Sequence, residues 1–220
     1  MPTASFDYPK EFITDFFRLM TLEGGILRFS SDPNDPGGQT LAGISRVYWA
    51  DWEGWKLVDQ MELDSNSDFL DYKFHGSNKD KDNLKDKLVE QIKRFYWREY
   101  WSYLNCYAIN YEGVRFWLFQ VSVNIGITQG VRILQESINL VMKTWPNVDR
   151  LECIIDGIMG PQTIYALNRV EEYDLPSDDS SPSFLLRLLQ VEQTNYYKRK
   201  CSEAPKKYIF FRGWVNRAFS

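Results

Sequence analysis

The sequence predicts a mainly α-helical chain with one short β-hairpin near its start. Three observations carry that prediction. Apolar residues recur at spacings of three and four along most of the 220 residues. Helix stop and start signals fall where that pattern breaks: Gly24-Gly25, Gly126 and Pro161. One early stretch, residues 26 to 43, abandons the helical period for two Asp-Pro pairs, Gly37-Gly38 and a Thr-containing segment, the composition of a loop and hairpin.

The elements follow in order. In "PKEFITDFFRLMTLEGG", Phe12, Phe16, Leu19, Met20 and Glu23 share one helical face, with Pro9 suited to the first turn and Gly24 or Gly25 to the stop. Glu23 then lies in the last turn, where the helix dipole disfavours an acid. A helix is expected to resume at Ser45 in "SRVYWADWEGWKLVDQ", with an interruption near 51 to 54. Residues 64 to 83 read as a polar connection. From Leu84 a long helix carries Leu84, Leu88, Ile92, Phe95 and Trp97 on or near one face, and its aromatic stretch at 95 to 103 reads mainly as core.

The remainder reads as a second helical unit, so the expected division is 1–110 and 111–220. "VRFWLFQVSVNIG" and "TQGVRILQESINLVMKTW" are periodic helices split by Gly126. Asp156-Gly157 marks a turn, and Pro161 opens the next helix, where a missing N–H costs nothing. "DLPSDDSSPS" reads as a linker, "FLLRLLQVEQTNYYKRK" as an amphipathic helix, and the aromatic, basic tail "FFRGWVNRAFS" as a segment that docks.

Bulk chemistry narrows the function. The formal net charge is -4, which argues against a general nucleic-acid binder with its basic face. Cys106, Cys153 and Cys201 are odd in number and have no metal-ligand spacing, so three free thiols are expected. His75 is the single histidine, in a charged stretch, a poor base for triad chemistry and too few for a multi-histidine zinc site. No metal and no cofactor are expected. No apolar run approaches the ~18 residues of a membrane span and no standard export signal is visible, so membrane insertion is not expected.

Carboxylates are then the candidates for acid/base work. Glycoside hydrolysis needs one carboxylic acid to protonate the leaving oxygen, and a second group to stabilise the cation, attack the sugar or activate water. The acid needs apolar surroundings, as in lysozyme. Glu23, beside Met20, Leu22 and Ile26 and facing a polar loop, fits that environment. Asp32 and Asp35 are candidates for the second carboxylate, and Thr40 for positioning water. Trp49, Trp52 and Trp55 are spaced by three, and at least one is expected to line a glycan cleft, since indole offers a flat apolar surface to sugars.

"LEGG", "DPNDPGGQT" and "AGIS", taken together, resemble the N-acetylmuramidases of glycoside hydrolase family 108, a group of phage-type endolysins and proteins labelled putative secretion activators. "WEGW", "FYWREYW", "VSVNIG", "RILQESINL", "DGIMGPQTIYALN" and "FFRGWVNR" continue the likeness in the family's order, from about residue 12 to 218. The resemblance implies a lysozyme-like helical catalytic part with a short β-hairpin, followed by a helical peptidoglycan-binding-like part. It implies Glu23 as catalytic acid, with Asp32, Asp35, Gly37, Gly38 and Thr40 matching the family's loop motif. It further implies contacts to the glycan from Gly24, Gly25, Gly38, Gln39, Trp55 and Asn124. The implied reaction is hydrolysis of the β-1,4 bond between N-acetylmuramic acid and N-acetylglucosamine. The alternative is a non-catalytic peptidoglycan-binding or secretion-assisting protein on the same fold. The implied partner is peptidoglycan, met in the periplasm or cell wall by a monomer released by a holin or an export machinery. Departures from the family pattern are Ile26, Leu41, Gln120 and a loop about three residues longer after Glu23.

Overall fold

The computed structural model describes residues 6–31, 38–61, 78–145, 152–174 and 182–220, with the side chains of 78–81 excepted. The chain divides into two compact units, Met1–Glu99 and Tyr100–Ser220.

The first unit opens with α1 (Lys10–Leu22). A three-stranded antiparallel sheet follows, in the order β1 (Phe29–Ser31), β2 (Gln39–Leu41), β3 (Ile44–Ser45). Then come α2 (Gly54–Met61) and α3 (Asn78–Tyr96), and the chain leaves through a π-helical turn, Trp97–Trp101. The α1 face is the predicted one: Phe12, Phe16, Leu19 and Met20 are buried, and Asp15 is buried among them. Leu88, Ile92, Phe95 and Tyr96 of α3 are buried as well, and Phe16 and Tyr96 have ring centroids 5.9 Å apart. Tyr8, whose hydroxyl donates to Glu90 Oε1 at 2.9 Å, packs with Phe6 and Phe12 around Trp97.

Two boundaries differ from expectation. The helix foreseen from Ser45 begins only at Gly54, because residues 46 to 53 form successive tight turns around tryptophan. The Trp55 indole N–H donates to the Trp49 carbonyl at 2.8 Å, Trp52 meets Trp55 edge-on at 5.3 Å, and Trp49 meets Phe95 edge-on at 4.9 Å. This aromatic knot buries Trp55 and half-buries Trp49 and Trp52, and aromatic side chains bury large areas. The second difference is α3, which starts at Asn78, inside the stretch read as a polar connection. Its first turns are charged, and a helix polar on all sides leaves little periodic signal.

The second unit is built on α4 (Glu112–Ile125). Every residue from Val114 to Ser122 is buried, so this helix is covered on all sides, by α5 (Ile127–Thr144) and α7 (Phe184–Glu203). Gly126, with φ +92, separates α4 from α5 as predicted. Next, α6 (Pro161–Tyr173) packs on α5, and α8 (Tyr208–Ala218) on α7. Two acids near the end of α6 hold the starts of neighbouring helices. Glu171 Oε2 accepts from the Asn110 N–H just ahead of α4, and Asp174 accepts from the Phe184 and Leu185 N–H groups at the start of α7. Burial pushes the Glu171 carboxyl above the ordinary carboxylate range. Its Oε1 is buried and finds no hydrogen-bond partner among the described residues, beside a cavity of about 200 Å³. The three cysteines are free and buried.

Candidate functional site

The end of α1 explains why a glutamate precedes two glycines. Glu23 is the last residue with helical backbone, φ -79 and ψ -2. Gly24 then turns left-handed at φ +84, and its N–H donates to the Thr21 carbonyl at 3.2 Å. The Gly25 N–H reaches back to the Met20 carbonyl at 2.8 Å. These two bonds are a Schellman stop, which satisfies carbonyls the helix would otherwise leave open. It favours glycine at the left-handed position and fixes the backbone of the residue before it. That residue is Glu23.

The sheet supplies the other side. Strands β2 and β3 are joined by only Ala42 and Gly43, both left-handed (φ +50 and +83), between the paired Leu41 and Ile44. Positive φ at both loop positions matches the twist of the strands. For an alanine it costs roughly 1–2 kcal/mol. Two hydrogen bonds hold it there: Ala42 N–H to the Arg28 carbonyl at 2.7 Å, and the Tyr96 hydroxyl to the Ala42 carbonyl at 2.6 Å.

At this turn tip the pieces converge. A Cβ placed on Gly43 would lie 3.1 Å from Glu23 Oε2 and 2.8 Å from the Tyr96 hydroxyl. The missing side chain is therefore what lets the carboxylate rest against the hairpin. Gly43 is exposed and Glu23 half-buried, so the acid stands at the edge of the core. Arg28 folds its guanidinium over Gly24.

The other predicted residues distribute as follows. Thr40 lies on β2, paired across the sheet with Ser30 on one side and Ser45 on the other, which sets three hydroxyl residues in a row. Gly38 is left-handed at φ +60 just before β2. Gln39 accepts from Arg46 at 2.8 Å, and Arg46 also grips Asp59 through two nitrogens, at 2.7 and 2.8 Å. That pairing raises the arginine and lowers the aspartate from their ordinary values. Asp32, Asp35, Gly37 and His75 lie outside the described residues.

Trp55 is placed differently from its expected glycan contact. It is 2 % exposed, with its N–H bonded and the Arg46 guanidinium 5.2 Å from its ring centre, so no face is open to a sugar. Asn124 belongs to the second unit, where it accepts from the Tyr197 hydroxyl at 2.7 Å. Tyr197 in turn accepts from Gln193, whose oxygen takes the Trp117 and Gln120 N–H groups.

Sequence reasoning missed Gly43 and Tyr96 as site residues. The signal for Gly43 was the brevity of "LAGI", two residues between strand-like flanks. Tyr96 was visible only as one aromatic on a buried helical face; its polar tip marked it. Among the described residues no group of three side chains is assembled that would hold a metal ion.

The family described as Glycosyl hydrolase 108 matches residues 16–126, and the one described as Predicted Peptidoglycan domain matches 129–219. The expected boundary at 110/111 falls between that division and the one separating the two compact units. The solved "Structure of Brucella abortus SagA" aligns with a TM-score of 0.52 at 19% identity, covering 94% of this chain and 93% of that one, a likeness of fold. None of the curated proteins compared matches this chain. The first match spans half the chain, and the chain belongs to the glycosyl hydrolase 108 family.

Proposed function

We propose that this glycosyl hydrolase 108 protein cuts the glycan strands of peptidoglycan, at the β-1,4 bond between N-acetylmuramic acid and N-acetylglucosamine, with Glu23 as general acid. The observation that supports this most is the placement of Glu23. A Schellman stop orients it, and Gly43 gives it room at an exposed edge. Preorganisation of this kind lets an acid donate without first reorganising.

In the proposed reaction Glu23 gives its proton to the glycosidic oxygen as the bond to the sugar carbon breaks. Asp32 or Asp35 stabilises the resulting cation or takes a proton from the entering water, which Thr40 orients. The water oxygen ends on the sugar carbon, giving a new reducing end. The peptidoglycan-domain match supports the same polymer as the ligand of residues 129–219. The proposed place of action is the cell wall, reached through a holin or an export machinery.

The departures from the family pattern bear on the non-catalytic alternative. Leu41 is fully buried and Gln120 is 2 % exposed, so both substitutions sit in core packing. They remove no group from the exposed edge beside Gly43, which favours the catalytic reading. The test is digestion of purified sacculi by wild type and by Glu23→Gln, with soluble products identified by mass spectrometry. Fragments ending in reducing N-acetylmuramic acid are expected from wild type alone. Intact sacculi after incubation with a wild type that binds them would overturn catalysis and favour the binding role.

A further inference from the structure

The charge of this chain is unevenly placed. Residues 198–220 hold seven basic side chains and one acid, whereas the other 197 residues hold 19 basic and 29 acidic. Within that basic segment, the corner between α7 and α8 is exposed without a break from Pro205 to Phe210, "PKKYIF". Tyr208, Ile209 and Phe210 are 54%, 79% and 54% exposed.

The corner is held in place from behind. Trp214 lies 5.3 Å from the Tyr197 ring of α7, and Ala218, one turn further on, is buried. With that stripe of α8 against α7, Tyr208, Ile209 and Arg212 face outward beside Lys206 and Lys207. Lys200 is paired with Glu203 at 2.8 Å, whereas the described residues give Lys206, Lys207 and Arg212 no salt bridge. An isoleucine four-fifths exposed and these three cations thus share one corner.

We propose that this corner adsorbs to the surface of an anionic lipid bilayer, with Ile209 and Tyr208 entering the headgroup region and Lys206, Lys207 and Arg212 meeting lipid phosphates. Basic side chains close to apolar or aromatic ones suit that interface, because the first are drawn by the surface potential and the second leave water. A purely polyanionic partner, such as a wall polymer, would use the cations and leave Ile209 without a role. The contact is peripheral; no described helix is long and apolar enough to cross a membrane. Adsorption of this kind would hold a wall-directed protein on the membrane beside its polymer. It does not depend on glycan cleavage.

The test is co-sedimentation of the full chain with vesicles of phosphatidylcholine alone and of phosphatidylcholine with about a third phosphatidylglycerol, at low and high salt. Adsorption to the anionic vesicles is expected at low salt only. Reversing Lys206→Glu with Lys207→Glu should weaken it by about tenfold or more. Ile209→Asp should weaken it severalfold and leave the salt dependence in place. Circular dichroism should be unchanged in both variants, whose altered side chains are exposed. Equal sedimentation with both vesicle types, none with either, or no response to charge reversal would overturn the proposal. So would loss of sacculus binding in the reversed variant with no vesicle binding by wild type, which would assign the corner to a wall polyanion.

Discussion

Glu23-Gly24 and Asp156-Gly157 share one local pattern, an acid followed by a left-handed glycine, with φ of +84 and +79. In the second unit the acid is tied down. Asp156 Oδ1 accepts from Gln135 at 2.8 Å and from the Ile158 N–H at 2.8 Å, while the Gln135 oxygen accepts from Gly157 N–H at 2.9 Å. Those bonds, the one from Gln135 foremost, hold the Asp156 carboxyl below its ordinary value. Asn139, one helical turn along α5, repeats the device by exchanging two hydrogen bonds with the Cys153 backbone. In the first unit the acid rests against the hairpin glycine at an exposed edge. The same two-residue pattern thus stands once in a fastened loop and once at a helix stop beside a hairpin turn. What differs is the facing element: a glutamine that can both donate and accept, or a glycine that leaves room.

That contrast can be broken at several points. Glu23→Gln should lower sacculus digestion by about 10²- to 10⁴-fold, the usual worth of a positioned acid. Its helical content by circular dichroism should match wild type. Asp156→Asn should do the reverse, leaving turnover intact and lowering the melt of the second unit. Its contribution is present above the ordinary value of 3.8 and lost as pH falls through the lowered native value, so the two melts should converge in acid.

Gly43→Ala tests the space beside the acid. The new methyl would press on Glu23 and the Tyr96 hydroxyl from a strained backbone. Digestion should fall by up to about a hundredfold, the cost of a displacement near 1 Å. A variant with full activity would show that the carboxylate does not depend on this contact.

Gln135→Ala removes the clamp of the second unit and leaves the buried Gly157 N–H without its acceptor. A loss of about 2–4 kcal/mol in denaturant unfolding is expected, from more than one broken bond at a cost of about 1–3 kcal/mol each. Unchanged stability would mean the loop is held by its packing instead.

The smallest effect concerns Glu171. Burial raises its native pKa above the ordinary 4.5, so the native state holds this proton more tightly than the unfolded chain. Its stabilising contribution is present at low pH and is lost as pH rises through the native value. Glu171→Gln keeps an oxygen for the Asn110 N–H and should flatten that decline, read from melts between pH 4 and 8. A parallel decline in the variant would place its cause elsewhere.

The residues along α1 made its face legible, since a buried stripe at the helical period needs only local order. So did the stop at Gly24-Gly25, the break at Gly126 and the start at Pro161, because backbone sterics act within a few residues. The tryptophans at 49, 52 and 55 were legible as aromatic and not as knotted. Their spacing of three fits a helix, and only packing against Phe95 decides for turns. Gly43 and Tyr96 stand 20 and 73 positions after Glu23, and no local rule links them to it. Sequence alone determined where helices stop and which acid stands at the stop. Tertiary structure decided what that acid faces, because a carboxylate's surroundings are set by chain segments that only folding brings together.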